Sequence, residues 1–495
     1  MSRTNSVAPL VDNISADENE TCPKSDVKNE LVCISNSTNQ LMANDLHLAA
    51  NGVHRNDSGF SFEIPSKSQT VSWDEEEDDG IYDEPFSIQY HDNLQLTFYH
   101  GMAPILNVMR FFGLWHSNVI DPHGSKMKSR GVFRKIVSGR TYGIVVLTLL
   151  WFNFLRFVPA FFVGSVLDPE RLYFKIIYLT FMLQCALNHT VIYYAISRKK
   201  RMCQFFHHWE TAIQFHPHCA VDLKWLRRWS WTFVAIGTTY ISCHILNQSF
   251  GVFGPLEHVR NSTDIFVAPF PRHTVLHLIV LLCNIFCFAS WIFTIFIYVL
   301  VCMILYRQFK QFNERFLRAI VKGRANKKFP ENFESLRHEH ENLCYALRLS
   351  NDHLFTYLNL VAYGTMVPLA CILLYNLLFS QNISANYSAY FMYGVWLISI
   401  FVNICVVSWI AALVSTKAHD SRDHLFKIDL ENVSTDQLIQ MHTFLARLSG
   451  GPIGYTIYDL VVLSKPFILT IGGLGITYYA LLVEVQTSEA PTLGT

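Results

Sequence analysis

Charge is scarce in this chain and evenly divided. Of 495 residues, 39 are Lys or Arg and 39 Asp or Glu, so charged residues make up 16%, where a soluble domain carries nearer a quarter. The balance leaves no basic field of the kind nucleic-acid binders use, and no nucleic-acid partner is expected. The twelve cysteines include no C-x-x-C pair and no regular spacing, which removes both a zinc ribbon and a disulfide framework. His207, His208, His216 and His218 with Cys219 form the densest run of metal-ligating residue types, and His338 with His340 a lesser one. Neither spacing matches a zinc pattern, and no metal is expected. Phosphate loops, H-E-x-x-H and nucleophile elbows do not occur in a plausible context, so neither an enzyme nor a cofactor is expected. The start, Met1 to Leu10, has no apolar run of the about 7–15 residues that a signal peptide needs.

What is present is apolar and aromatic: 51% hydrophobic residues and 14% Phe, Trp or Tyr. From His273 to Tyr306 and from His353 to Thr416 there is no Asp, Glu, Lys or Arg. The second stretch is long enough for two crossings of a bilayer, since about 20 apolar residues make one, and its polar middle, Ser380 to Ser388, reads as the turn between them. Together with four further runs, the expected spans are about 142–165, 172–196, 229–250, 274–306, 354–379, 389–415 and 459–486. The sequence therefore predicts an all-α membrane protein of seven transmembrane helices. Residues 1–95, rich in Asn, Ser, Asp and Glu with the acidic run Asp74 to Asp79, read as a disordered tail. The expected organisation continues with a pre-membrane segment (96–140), a seven-helix domain (141–487) and a short tail (488–495).

Sidedness follows from the cations. The segments 122–140, 197–228, 307–352 and 416–455 carry 27 Lys and Arg, against 3 in the alternate segments 165–171, 251–273, 381–387 and 487–495. The positive-inside rule then places the N-terminus in the cytoplasm and the C-terminus outside. G-protein-coupled receptors have the opposite orientation and usually an external disulfide, but none of these external segments contains a cysteine. A secondary transporter would show paired, interrupted helices in two related halves, and no internal repeat is evident. Beyond the fourth span, Phe309, Phe312, Phe316 and Ile320 recur at helical spacing, and a second amphipathic run follows at about 332–350. Two long cytoplasmic extensions with apolar stripes must pack against each other or against neighbouring subunits.

Three blocks resemble the arthropod gustatory receptors, above all their sugar-receptor branch: Tyr99 to Gly113 before the first span, Arg307 to Asn351 after the fourth, and Leu448-Ser-Gly450 with Gly473-Leu-Gly-Ile-Thr-Tyr478 near the end. That family's last helix is marked by Thr-Tyr, five apolar residues and Gln-Phe. Here Thr477, Tyr478 and the apolar five fit, while Glu484-Val485 stands in place of Gln-Phe. The resemblance spans roughly 96–486 and implies a plasma-membrane chemoreceptor of a chemosensory neuron. It further implies a homo- or heterotetrameric, ligand-gated, non-selective cation channel, with four last helices around the pore and a small-molecule tastant bound in each subunit's outer half. Thr477, Tyr478, Leu481, Glu484 and Val485 are then the pore and gate candidates, and Glu484 is either a solvated interfacial acid or one of a ring of four carboxylates. Polar groups within the outer halves of spans two to four supply the ligand-site candidates: Tyr178, Gln184, Tyr240, His244, Asn247, Gln248, His277 and Asn284. Taken singly, each is more readily an interhelical hydrogen-bonding group than a ligand contact.

Overall fold

Hydropathy sets the helices, and polar or conformationally unusual residues set their ends. The computed structural model describes residues 97–116, 139–162, 169–197, 201–210, 221–253, 273–379, 387–430 and 433–489. The expected tail 1–95, His216, His218, Cys219 and residues 490–495 lie outside them. In chain order the elements are α1 (Thr97–Phe111), α2 (Gly139–Phe157), α3 (Pro169–Ser197), α4 (Arg201–His208), α5 (Leu223–Phe253), α6 (Thr274–Ala325), α7 (Phe333–Ser350) and α8 (Thr356–Phe379). They continue with α9 (Tyr387–His419), α10 (Ser421–Leu425), α11 (Thr435–Ser449), β1 (Thr456–Ile457), β2 (Val461–Val462) and α12 (Lys465–Glu489).

Among the described residues, six helical stretches are long and apolar enough to cross a membrane. The expected span at 229–250 is helical, but Thr238, Thr239, His244, Asn247 and Gln248 dilute the hydropathy of α5, so composition alone does not mark it. Asp222 starts this helix by accepting the Lys224 and Trp225 amides at 3.0 and 3.2 Å.

The centre of the bundle is α6, 52 residues long, whose most apolar stretch is 89% buried. It is apolar on every side, as a helix surrounded by other helices must be. Helices α1, α2, α3, α5, α7 and α9 all pack against it. Close approach is needed at Gly237, where a Cβ would lie 2.9 Å from the Phe293 ring of α6. The helix α1 stops at Gly113, whose φ of +73° suits a residue without a Cβ; the Leu114 amide then bonds back to the Met109 carbonyl at 2.8 Å.

The aromatic stripe in the charged part of α6 is satisfied within the chain. Phe309, Phe312 and Phe316 are fully buried, packed against His340 and Phe333 of α7 and Phe444 of α11. Where water is the alternative environment, burying each such ring stabilises by roughly 1.5–3 kcal/mol. An Arg315–Glu339 ion pair joins the same two helices.

The last span differs from its expected bounds. Residues 456–462 form an antiparallel hairpin, with Thr456 opposite Val462 and Ile457 opposite Val461, and the helix begins only at Lys465. Tyr458 and Asp459 turn the hairpin with φ of 48° and 55°. Pro466 sits in the first helical turn, where its missing N–H costs no hydrogen bond. A second break separates α7 from α8, where Asp352 and His353 leave helical geometry, His353 with φ of 56°.

The break and the hairpin are tied together through Thr456. Its amide donates to Asn351 Oδ1 at 3.1 Å, its carbonyl accepts from Asn359 Nδ2 at 3.0 Å, and its hydroxyl accepts from Asn351 Nδ2 at 2.8 Å. The hydroxyl also donates to Asp459 at 2.8 Å and lies 3.2 Å from that of Thr356.

Candidate functional site

Helices α3, α5, α6, α8 and α9 converge on a small cavity of about 30 Å³. Its wall is mostly aromatic: Phe181 from α3, Tyr240 from α5, Phe288 and Trp291 from α6 and Trp396 from α9. Gln184 and Ser399 add polar groups. Gln184 is 1% exposed, and its Nε2 has no hydrogen-bond partner. An amide donor buried without a partner is costly, and it marks the wall where an acceptor would be held most strongly.

The eight expected ligand residues divide into groups. Gln184 and Tyr240 line the cavity. His244 stands directly behind, stacked on Phe288 with centroids 4.4 Å apart and an interplanar angle of 18°, and 4.4 Å from the Tyr240 ring. Tyr178, Asn284 and Gln248 form a relay between helices instead: the Tyr178 hydroxyl donates to Asn284 Oδ1 at 2.7 Å, and Asn284 Nδ2 donates to Gln248 Oε1 at 3.3 Å. His277 bonds through its Nδ1 with the His273 carbonyl one turn earlier, at 3.1 Å. Asn247 is on the exposed side of α5. Phe181, Phe288, Trp291, Trp396 and Ser399 escape sequence reasoning, because rings inside apolar runs look like ordinary packing. The expectation also stopped at the fourth span, although α8 and α9 close the cavity.

The last helix is different in kind. None of the most apolar stretch of α12 is buried. Ile471, Gly475, Tyr479 and Leu482 are half-buried on one side, where Gly475 carbonyl accepts from the Cys371 thiol of α8 at 3.6 Å. Gly473, Thr477, Ala480 and Glu484 are exposed and, at spacings of four, three and four, share the opposite side. Of the expected pore residues, Thr477 and Glu484 therefore lie on the uncovered stripe. Tyr478 and Leu481, 39% and 54% exposed, flank it. The Val485 side chain lies outside the described residues.

A larger recess of about 530 Å³ opens between α1 and α5, away from all of these residues.

Long apolar helices around a buried central one, with polar groups facing inward, define a multi-pass helical membrane protein. The chain matches the 7tm chemosensory receptor family over residues 102–488, and it belongs to that family. Its members are receptors of the plasma membrane and not enzymes. The fold is similar to that of the insect olfactory receptor OR5 from Machilis hrabei, with a TM-score of 0.54 at 15% identity, covering 78% of this chain and 97% of that one. The same receptor in complex with eugenol matches with a TM-score of 0.54 at 14% identity and the same coverage. A search of curated protein sequences returned no match.

Proposed function

We propose that this chain is a subunit of a gustatory-type, ligand-gated, non-selective cation channel in a chemosensory neuron, opened by a small polar organic molecule, with sugars the first class to test. Four subunits, of this chain alone or with relatives, would surround a pore lined by α12, with the N-terminus inside and the C-terminus outside. The observation that carries the proposal is the uncovered stripe of α12. The exposed side of this helix includes Gly473, Thr477, Ala480 and Glu484 beside Leu469 and Ile476, and so offers small residues for close approach, a hydroxyl and a carboxylate, groups suited to a hydrated path. A ring of four Glu484 carboxylates at one end would concentrate cations.

The cavity beneath Tyr240 supports the ligand half of the proposal. Its rings and the unpartnered Gln184 amide suit a ligand with both faces and acceptors. At about 30 Å³ it holds little more than one water, whereas small-molecule sites occupy about 300–1,000 Å³. A ligand must therefore displace rings of the wall, and that displacement is the natural source of gating energy.

The test is electrical. Ligand should evoke whole-cell current within milliseconds while G-protein signalling is blocked, and an extracellular C-terminal tag should stain intact cells. Glu484→Gln should preserve expression and ligand sensitivity while lowering relative calcium permeability and the pH dependence of the current. Current that requires a G protein overturns the channel. Unchanged permeability and pH profile in Glu484→Gln remove the carboxylate ring.

A further inference from the structure

The recess between α1 and α5 has a direction. Gly101 of α1 abuts Leu226 of α5, and the Ser230 hydroxyl donates to the Gly101 carbonyl at 3.0 Å, so the N-terminal halves of the two helices lie side by side. At that end the recess is lined by His100 and Arg227. At the other end it is lined by Phe111, Phe112 and Thr238, with Trp231 one turn beyond Arg227 between the two ends; Phe111 is 71% and Trp231 55% exposed. Arg227, Trp231 and Thr238 share one stripe of α5 at spacings of four and seven.

Cationic groups gather at the first end. Lys224, Arg227 and Arg228 are all exposed in the first turns of α5, and among the described residues none of them makes an ion pair. From Arg227 to Thr238 the stripe runs about 16 Å, at about 1.5 Å per residue. A furrow with cations at one end and rings at the other, on a helix about to enter the bilayer, has the polarity of a single amphiphile.

We infer that this recess is a binding site for one membrane phospholipid with an anionic headgroup, its phosphate held by Arg227 beside His100 and an acyl chain laid over Val108, Phe111 and Trp231. The placement in the cytoplasmic leaflet, where anionic lipids concentrate, rests on the orientation proposed above. The site itself does not, because lipid retention in symmetric micelles is blind to sidedness. Failure of the tag experiment and failure of the lipid experiment are thus separately visible. The lipid would splint α1 to α5, and α1 packs in turn on the Phe293 region of α6 through Phe112, whose ring stacks on Phe293 at 5.8 Å.

The experiment is native mass spectrometry of the purified full chain in mixed micelles containing phosphatidylserine and phosphatidylcholine with identical acyl chains. Wild type should retain phosphatidylserine in preference. Arg227→Gln should lower that preference about fivefold, the effect of one cation near an anionic lipid surface, and Arg227→Lys should restore most of it. Trp231→Ala should lower retention of both lipids, and Lys322→Gln, exposed on the distant end of α6, should change neither. Absence of preference in wild type, or equal retention in wild type and Arg227→Gln, overturns the site. So does a several-fold rise in retention when Asp74 to Asp79 are replaced by Asn and Gln, because the occupant would then be the chain's own acidic run.

Discussion

Replacing Thr456 with Val removes one hydroxyl and almost no volume, at the point where the hairpin before α12 is tied to the break between α7 and α8. The lost bonds differ in cost. Asp459 is exposed and finds water, so its bond costs little. The 3.2 Å contact with the Thr356 hydroxyl is the longest of the three, and its loss weighs least. Asn351 has no such escape: it is 6% exposed, and its Nδ2 would lose the 2.8 Å acceptor. An unsatisfied buried donor costs about 1–3 kcal/mol, so Thr456→Val should destabilise by about 2 kcal/mol and Thr456→Ser by much less. Asn351→Ala should cost more, because it strands the Thr456 amide and also removes a donor from the Thr456 hydroxyl. In the Asn351→Ala background the Val substitution should then lose most of its effect, a coupling of about 1–2 kcal/mol. Thermal unfolding of the detergent-solubilised protein, followed by fluorescence-detected size exclusion, reads all four variants. Equal damage from Val and Ser, or full additivity of Val with Asn351→Ala, would refute the reasoning.

Two further outcomes are expected from the same assay. His340 of α7 is buried with its pKa held down to about 4, chiefly by burial, partly offset by its 3.0 Å bond to the Ala418 carbonyl and reinforced by Arg447 and His419. The unfolded chain takes up the proton near pH 6.5, so this contribution to stability is complete above that pH and is lost as pH falls toward 4, by up to about 3 kcal/mol; His340→Gln should flatten that acid limb, and an unchanged limb would count against it. Gly237→Ala should cost about 1–3 kcal/mol by overpacking against Phe293, whereas Gly364→Ala, with no atom within 4 Å of the added carbon, should be silent.

The spans were legible because charge-free runs such as 274–306 have no other use for such a composition. The stripe at Phe309, Phe312 and Phe316 was legible as a stripe, but its partner was not: Phe444 lies more than a hundred residues on, and spacing within one helix carries no information about it. The hairpin at 456–462 was hidden for a different reason. Its turn uses Tyr458 and Asp459 with positive φ, without the Asn-Gly or Gly pair that usually announces such a turn. At the cavity, Gln184 and Tyr240 stood out as polar groups in apolar helices, while Phe181, Phe288 and Trp396 did not. Tyr178, Asn284 and Gln248 stood out equally and turn out to bond one another. Sequence marks a buried polar group; only the fold says whether its partner is another helix or an empty space.

The length of α6 has a mechanical consequence. It contains no proline, and its only glycine is Gly323, near its end, so the usual causes of a kink are missing from the stretch between the cavity and Lys322. At about 1.5 Å per residue, Phe288 in the cavity wall and Ala325 at the far end are about 55 Å apart. A rotation of only about 5° forced on the helix by a ligand beside Phe288 would sweep the far end through roughly 5 Å at that radius. Side-chain displacements too small to notice at the cavity would thus arrive among Phe333, His340 and Phe444, which pack on Phe309 to Phe316 about 30–40 Å along the helix, as a sideways shift of about 3 Å.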